Sequence, residues 1–203
     1  MTPPLTRHRE PMPSLRRSAR ALTSPLWGVA LWGALLLGAC GQPAEIQELQ
    51  GPIGPGSGGT PVNPATVVVQ PLASGTLPLG TLEYDSSYFT LTPLEGDTFM
   101  LSTATGETTL LVTPITGRPD TPCRYQAALL ARDQGYEIQA AGDRTNSTGL
   151  DFHQVNLGPG GDYQRLYCTS LRNNVGVLLN ASGATPSPLA DVQMHFVLNS
   201  VTP

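Results

Sequence analysis

The stretch TFMLSTATGETTLLVTP, residues 98–114, indicates the fold class of the chain. It holds two runs of β-branched and apolar residues, Thr98–Thr103 and Thr108–Pro114, on either side of a short turn at Gly106. Such runs are typical of strands, and a short connection that contains glycine is typical of a β-hairpin. The stretch therefore predicts two neighbouring antiparallel strands.

The same pattern continues on both sides of this hairpin. From residue 66 to the C-terminus, short apolar runs alternate with turns rich in Gly, Pro, Asn and Asp. We therefore predict one all-β domain over residues 66–203, an antiparallel β-sandwich of jelly-roll-like type or a small barrel. The other predicted strands are Thr66–Gln70, Gly80–Tyr84, Tyr88–Thr92, Arg124–Ala131, Tyr136–Ala140, Asp151–Leu157, Gln164–Thr169, Val175–Asn180 and Val192–Val201.

Two of these segments carry different signals. The residues of Arg124–Ala131 suit a helix nearly as well as a strand, and its flanking segments favour the strand. The segment Val192–Val201 alternates between apolar and polar residues, with Val197 as the exception. In a strand, side chains alternate between the two faces, so this pattern would place the apolar residues on one face and the polar residues on the other. No helix longer than ten residues is expected after residue 40.

Charge divides the chain into two unlike parts. Residues 1–39 carry five Arg and one Glu, whereas the remainder carries six Arg and 14 acidic residues, a net charge of −8. An acidic body repels the phosphate backbone of nucleic acids, so no nucleic-acid partner is expected.

The basic N-terminal part is typical of an export signal. Arg16, Arg17 and Arg20 precede a 12-residue apolar run, Leu26–Leu37. This run is shorter than the ~20 residues that a helix needs to cross a bilayer, and its basic flank is typical of a secretory signal peptide. We predict that residues 1–39 form this signal, with Met12 as an alternative start. An uncleaved N-terminal anchor is the alternative interpretation.

The apolar run ends in Leu37-Gly38-Ala39-Cys40, which resembles the lipobox of bacterial lipoproteins. The resemblance implies a diacylglyceryl group on the sulfur of Cys40 and cleavage between Ala39 and Cys40. The new α-amine is also acylated in many bacteria. An Asp after the lipidated cysteine favours retention in the inner membrane, and this chain has Gly41 there. The implied location is therefore extracytoplasmic, lipid-anchored to the cell membrane or the outer membrane.

Residues 40–65 are predicted to be the lipidated cysteine followed by a flexible tether. The segment is dense in Gly and Pro and has no aromatic residue. Such a composition buries too little apolar surface to offset its chain entropy. Residues 44–50 could form one or two helical turns, which would be marginal in isolation.

Two cysteines follow the tether, Cys123 and Cys168. The compartment outside the cytoplasm is oxidising, so an even pair there predicts a disulfide. The alternative is a redox-active or metal-binding thiol pair, which the absence of Cys-x-x-Cys spacing disfavours.

The exported part has no recognisable catalytic motif, so no catalytic residue and no cofactor is predicted. Gly-x-Ser-x-Gly is absent, and the Gly-rich runs lack the Lys of a phosphate-binding loop. The sharpest site hypothesis is a metal bound by two Asp/His pairs, each on one face of a predicted strand. Solvent-facing polar positions are the alternative. The four residues are Asp151, His153, Asp191 and His195.

A second stretch, residues 143–151, is rich in oxygen ligands that suit Ca²⁺, but it lacks the spacing of an EF-hand loop. An ordinary polar loop is the simpler interpretation.

These observations predict a membrane-anchored envelope lipoprotein that is not an enzyme. Its partners are the membrane, through Cys40, and an envelope protein that the β-domain binds or supports. A module that binds a metal or a small ligand is the first alternative. An enzyme without a recognisable motif is the second.

Overall fold

A computed structural model of the protein describes residues 46–54, 62–158, 163–183 and 188–203. These residues all belong to one compact unit. The predicted signal peptide over residues 1–39, the lipobox and Cys40 lie outside the described residues. Neither helix in the described ranges is long and apolar enough to cross a bilayer.

The described residues form two sheets and two helices. The main sheet has eight strands in the order β1-β7-β8-β9-β10-β6-β5-β4, and the second sheet pairs β2 with β3. A single 3-10 turn spans Pro64–Thr66, and the helices are α1 (Asp120–Gln134) and α2 (Pro188–Ser200). The strands are β1 (Gln47–Leu49), β2 (Val67–Ser74), β3 (Leu77–Asp85), β4 (Thr90–Pro93), β5 (Phe99–Ser102), β6 (Thr108–Thr116), β7 (Glu137–Thr145), β8 (Asp151–Gly158), β9 (Tyr163–Arg172) and β10 (Val175–Gly183).

Neighbouring strands of the main sheet are mostly consecutive in the chain. The strands β7 to β10 form an antiparallel meander, and β4 to β6 form a second one that joins the first through β6 and β10. Helix α1 connects β6 to β7, which lie on either side of β8, β9 and β10. The only parallel pairing among the named strands is that of β1 with β7.

Two hydrophobic cores lie on opposite faces of the main sheet. On one face, the β2–β3 sheet and α2 cover the larger core, in which Leu79, Leu110, Leu179 and Leu198 are fully buried. On the other face, α1 covers a smaller core. Two sheets that pack across a shared core make a sandwich-like fold, so the predicted all-β sandwich is confirmed. The smaller core consists of Cys123, Ala127, Leu130, Val155, Leu157, Leu166, Cys168 and Leu178.

The strand predicted at Arg124–Ala131 is wrong, because this segment lies within the 15-residue helix α1. The helix follows Pro119 and is capped at its C-terminal end by Gly135, whose φ of 73° is the left-handed conformation that favours glycine. Its buried residues recur at helical spacing, so one face of the helix packs on the sheet. They are Cys123, Ala127 and Leu130.

The strand predicted at Val192–Val201 is also wrong, because the segment forms most of α2. Its buried residues are Ala190 and two pairs that lie four positions apart, Gln193 with Met194 and Val197 with Leu198. Val197, the exception to the alternation, is fully buried on the helix face that contacts the core. Both helices exceed the ten-residue limit that the sequence predicts. The other nine predicted strands each overlap an observed strand.

Part of the segment predicted to be a tether is packed on the domain. Gln47–Leu49 forms β1 at the edge of the main sheet, and Ile53 is 5% exposed within the larger core. Residues 40–45 and 55–61 of the predicted tether lie outside the described residues.

Candidate functional site

A polar cleft of about 420 Å³ lies where β1, β7, β8 and α1 meet. Its volume falls within the range of small-molecule sites, roughly 300–1,000 Å³. Three elements of the main sheet and one helix contribute side chains to it. The lining residues are Glu48, Leu49, Gln50, Arg124, Ala141, Gly142, Asp143 and His153.

The wall formed by β1 depends on a glycine. Leu49 pairs with Gly142 of β7, and a Cβ atom at Gly142 would lie 1.9 Å from the carbonyl oxygen of Leu49. No side chain can be accommodated at that distance without displacing one of the two backbones. Gly142 therefore permits the close approach of β1.

Residues after β1 are fastened to the domain by hydrogen bonds. The Ile53 amide donates to the carbonyl oxygen of Thr145 at 2.7 Å, and Arg144 Nε donates to the carbonyl oxygen of Gly51 at 2.9 Å. Arg144 also donates to the carbonyl oxygen of Pro52. Together with the burial of Ile53, these bonds hold the β1 segment in place.

The most distinctive group in the cleft is the imidazole of His153. Its Nδ1 lies 2.7 Å from Oδ1 of Asp143, an exposed carboxylate on the neighbouring strand. Its Nε2 is buried and has no hydrogen-bond partner among the described residues. In the neutral ring whose Nδ1–H donates a hydrogen bond to the carboxylate, Nε2 is an acceptor. Because Nε2 is shielded from solvent, the group that the His153–Asp143 pair presents to a ligand is the exposed carboxylate of Asp143.

The disulfide between Cys123 and Cys168 is present, with 5.8 Å between the two Cα atoms. This confirms the predicted pairing. Cys168 is the register partner of His153 in the sheet, and Cys123 precedes Arg124 on α1. The bridge therefore fixes α1 to the sheet directly beside the cleft.

The charged groups of the cleft have both signs. Gln50 Nε2 donates to Oε1 of Glu48 at 2.8 Å, and the carboxylate of Asp143 faces His153. Arg124 is exposed and makes no hydrogen bond or ion pair with the rest of the described chain. Its guanidinium is therefore available to an anionic group.

The two predicted Asp/His pairs do not converge on a metal site. Asp151 accepts a hydrogen bond from Thr145 at 2.9 Å, and His153 pairs with Asp143 instead. Asp191 and His195 belong to α2, on the other face of the main sheet from α1. Within the described ranges, no three His, Cys, Asp or Glu side chains are grouped so that they could hold a metal ion.

The second pair instead belongs to a half-buried ion cluster. Arg165 of β9 donates to Oδ1 of Asp191 at 3.0 Å, and Nε2 of His195 lies 3.8 Å from the same oxygen. Burial lowers the pKa of His195 below its ordinary value of 6.5, which Asp191 opposes and Arg165 reinforces. Burial also raises the pKa of Tyr167, next to Arg165. The cluster ties α2 to the sheet.

The loop over residues 143–151 uses its polar atoms within the fold. Oδ1 of Asn146 accepts hydrogen bonds from Thr148 and Leu150, and its Nδ2 donates to the carbonyl oxygens of Leu198 and Val201. Because these polar atoms bind to the rest of the fold, they favour the interpretation of residues 143–151 as a structural polar loop. They do not favour the interpretation as a Ca²⁺ site.

No family model matches the chain, and neither a curated protein nor a solved structure shows significant similarity to it. The function must therefore be inferred from the cleft itself. The sequence singles out His153 but pairs it with Asp151, two residues away on the same strand. The true partner, Asp143, is on the adjacent strand, and its pairing depends on the register. Nothing in the sequence pattern marks the other polar lining residues, Glu48, Gln50 and Arg124.

Proposed function

We propose that the protein is a membrane-anchored envelope lipoprotein, lipidated at Cys40, whose β-domain binds a small polar ligand in the cleft. The observation that carries the binding role is that the lining brings the carboxylates of Glu48 and Asp143 together with the guanidinium of Arg124. The buried imidazole of His153 holds the Asp143 carboxylate at 2.7 Å. The described lining contains no Ser, Thr or free Cys that could serve as a nucleophile, which favours binding over covalent catalysis.

The charges of the cleft suit a small zwitterion, such as an amino acid or a dipeptide. The planar guanidinium of Arg124 can bind a carboxylate through two parallel hydrogen bonds. The carboxylates of Glu48 and Asp143 suit an ammonium group. A zwitterionic ligand therefore complements both signs of charge at once.

The anchor is tested by the intact mass and membrane partitioning of the protein expressed in its own host, beside Cys40→Ala. We expect a mature chain that begins at Cys40 and carries two or three acyl chains. The variant should lose both the acyl mass and retention in the membrane. Two or more acyl chains make release from a bilayer negligible, whereas one gives only marginal binding. A chain that keeps residues 1–39 and carries no lipid would contradict the proposal.

The cleft is tested by calorimetric titration of the detergent-solubilised mature protein with a panel of free amino acids and dipeptides. We expect saturable binding to a subset of the panel. Binding should weaken about tenfold or more in Arg124→Gln, because an ionic hydrogen bond contributes ~1.5–3 kcal/mol. Arg118→Gln is the matched control, since Arg118 is 88% exposed and does not line the cleft. Equal affinity in both variants would show that the ligand binds elsewhere.

A further inference from the structure

The first strand of the domain lies close along the chain to the proposed lipidation site, on which this inference rests. β1 begins at Gln47, seven residues after Cys40. Seven residues span at most about 25 Å when fully extended. Because β1 and Ile53 are fastened to the domain, a lipid on Cys40 keeps the β1 edge within about 25 Å of the bilayer surface. The opposite edge, β4, lies seven strand positions away, up to about 34 Å at ~4.8 Å per strand.

Helix α1 lies beside the β1 edge of the main sheet, and its outer face is exposed to solvent. It borders the same cleft as β1, with Arg124 contributed by α1 and Glu48 by β1. Tyr125 is 66% exposed, the largest exposure of any large apolar side chain in the described residues, and Ile46 next to β1 is 53% exposed. An exposed aromatic and an exposed aliphatic side chain thus lie near the anchored end of the domain.

The outer face of α1 also differs in charge from the rest of the exported part. Positions 121, 125, 128 and 132 form one stripe of the helix, flanked by Arg124, and none of them is acidic. Residues 118–134 carry three Arg and two Asp, while the rest of the exported part carries three Arg and twelve acidic residues. Arg118 is paired with Asp120 at 3.8 Å and Arg132 with Asp133 at 2.6 Å, so this segment is close to neutral, with Arg124 as its unpaired cation among the described residues. Anionic headgroup surfaces attract Arg and repel carboxylates, and Tyr is enriched at the membrane interface.

We propose that the outer face of α1, together with Ile46, lies against the headgroups of the bilayer that holds the lipid of Cys40. The short chain between Cys40 and β1 limits how far this edge of the domain can lie from the membrane. Because the stripe has no acidic residue, it can approach the headgroups more closely than the strongly acidic parts of the domain can. The mouth of the cleft then opens at the level of the headgroups, so that its ligand is taken up at the membrane surface.

The exported part contains no Trp, which makes a single-tryptophan experiment clean. Tyr125→Trp places a reporter on α1. Leu94→Trp is the matched control, since Leu94 is also exposed and follows β4 at the far edge of the sheet. Each lipidated full-length mature protein is reconstituted into vesicles of phosphatidylethanolamine and phosphatidylglycerol that contain a lipid with a nitroxide on its headgroup.

We expect the nitroxide lipid to quench the tryptophan at position 125 at least threefold more strongly than the one at position 94. The double change Arg124→Glu and Arg132→Glu in the Tyr125→Trp protein should reduce this quenching, whereas Arg172→Glu should not. Equal quenching at both positions, or stronger quenching at position 94, would overturn the proposal.

A second measurement tests whether a protein, and not the bilayer, covers the outer face of α1. Aqueous iodide is added to native envelopes that contain each tryptophan variant. Protection of position 125 from iodide without quenching by the nitroxide lipid would mean that a protein covers α1, and the proposal would fail. Intact mass is measured first on every sample. A chain without lipid would refute the proposed anchor, whereas a lipidated chain with unquenched position 125 would refute only the orientation.

Discussion

At the scale of single residues, His195 makes the stability of the folded protein depend on pH. Its imidazole belongs to the ion cluster between α2 and β9. Burial holds the pKa of its imidazole below the ordinary value of 6.5, against the attraction of Asp191. The folded protein therefore favours the neutral ring. As the pH falls below 6.5, the unfolded chain binds a proton that the folded protein resists. The contribution of His195 to stability is thus complete above pH 6.5 and is lost as the pH falls towards the lowered folded-state pKa.

We expect His195→Gln to flatten the dependence of the melting temperature on pH between about 7.5 and 5. Glutamine keeps a polar side chain beside Asp191 but does not titrate. Thermal unfolding at half-unit pH intervals measures the slope, and pH 8 to 9 is the internal control range, where both proteins should show parallel curves. An unchanged slope in the variant would show that His195 is not the group responsible.

Gly142 is the residue on which the β1 wall of the cleft depends. We expect Gly142→Ala to displace β1, because the new Cβ would lie 1.9 Å from the Leu49 carbonyl oxygen. The free energy of unfolding should fall by about 1–3 kcal/mol, a typical cost of overpacking. Hydrogen exchange at the Ile53 amide, which donates to Thr145, measures the displacement directly.

Gly54→Ala is the control for this change, since a Cβ at Gly54 has no neighbour within 4 Å. Its exchange and stability should stay close to those of the unmodified protein. Protection of the Ile53 amide that is equal in both variants would indicate that β1 tolerates a side chain at position 142.

At the scale of elements, the disulfide fixes α1 to β9. Replacing Cys123 and Cys168 together with Ala should lower the free energy of unfolding by about 2–4 kcal/mol. The bridge closes a loop of 45 residues, and the chain-entropy model gives ~4 kcal/mol for that length, with measured values often smaller. Urea unfolding measures the change. A reductant should lower the stability of the unmodified protein similarly and leave the double variant unaffected.

Whether an element forms a helix or a strand was decided by its packing in two places. In α2, the buried pairs four residues apart face the core that β3 contributes to, which selects the helix over the alternation visible in the sequence. In α1, three buried residues at helical spacing face the smaller core. Intrinsic propensity is a weak preference that tertiary contacts override. The hairpin over residues 98–114 is predicted from local sequence alone, because β5 and β6 pair with each other across a short turn.

At the scale of the whole molecule, the segment from Gln47 to Gly54 belongs to the folded domain. We expect a chain that begins at residue 62 to be less stable than one that begins at residue 41 by about 2–5 kcal/mol. The shorter chain loses the buried side chain of Ile53 and leaves a hole in the larger core. Equal urea midpoints for the two chains would show that the segment behaves as the flexible tether that its composition suggests.

The sequence by itself determined the all-β class, nine of the strands and the disulfide pairing. These features depend on short runs, on turns a few residues long and on the fact that only two cysteines follow Cys40. The lipobox depends equally on local pattern, and lipidation of Cys40 stays a prediction. Only the tertiary structure decided that His153 pairs with Asp143, that β1 lies against Gly142 and that Asp191 lies on the opposite face from His153. Each of these depends on strand register or on the packing of residues far apart in the chain. A local pattern does not encode such relations, because they are fixed by the joint burial of many side chains.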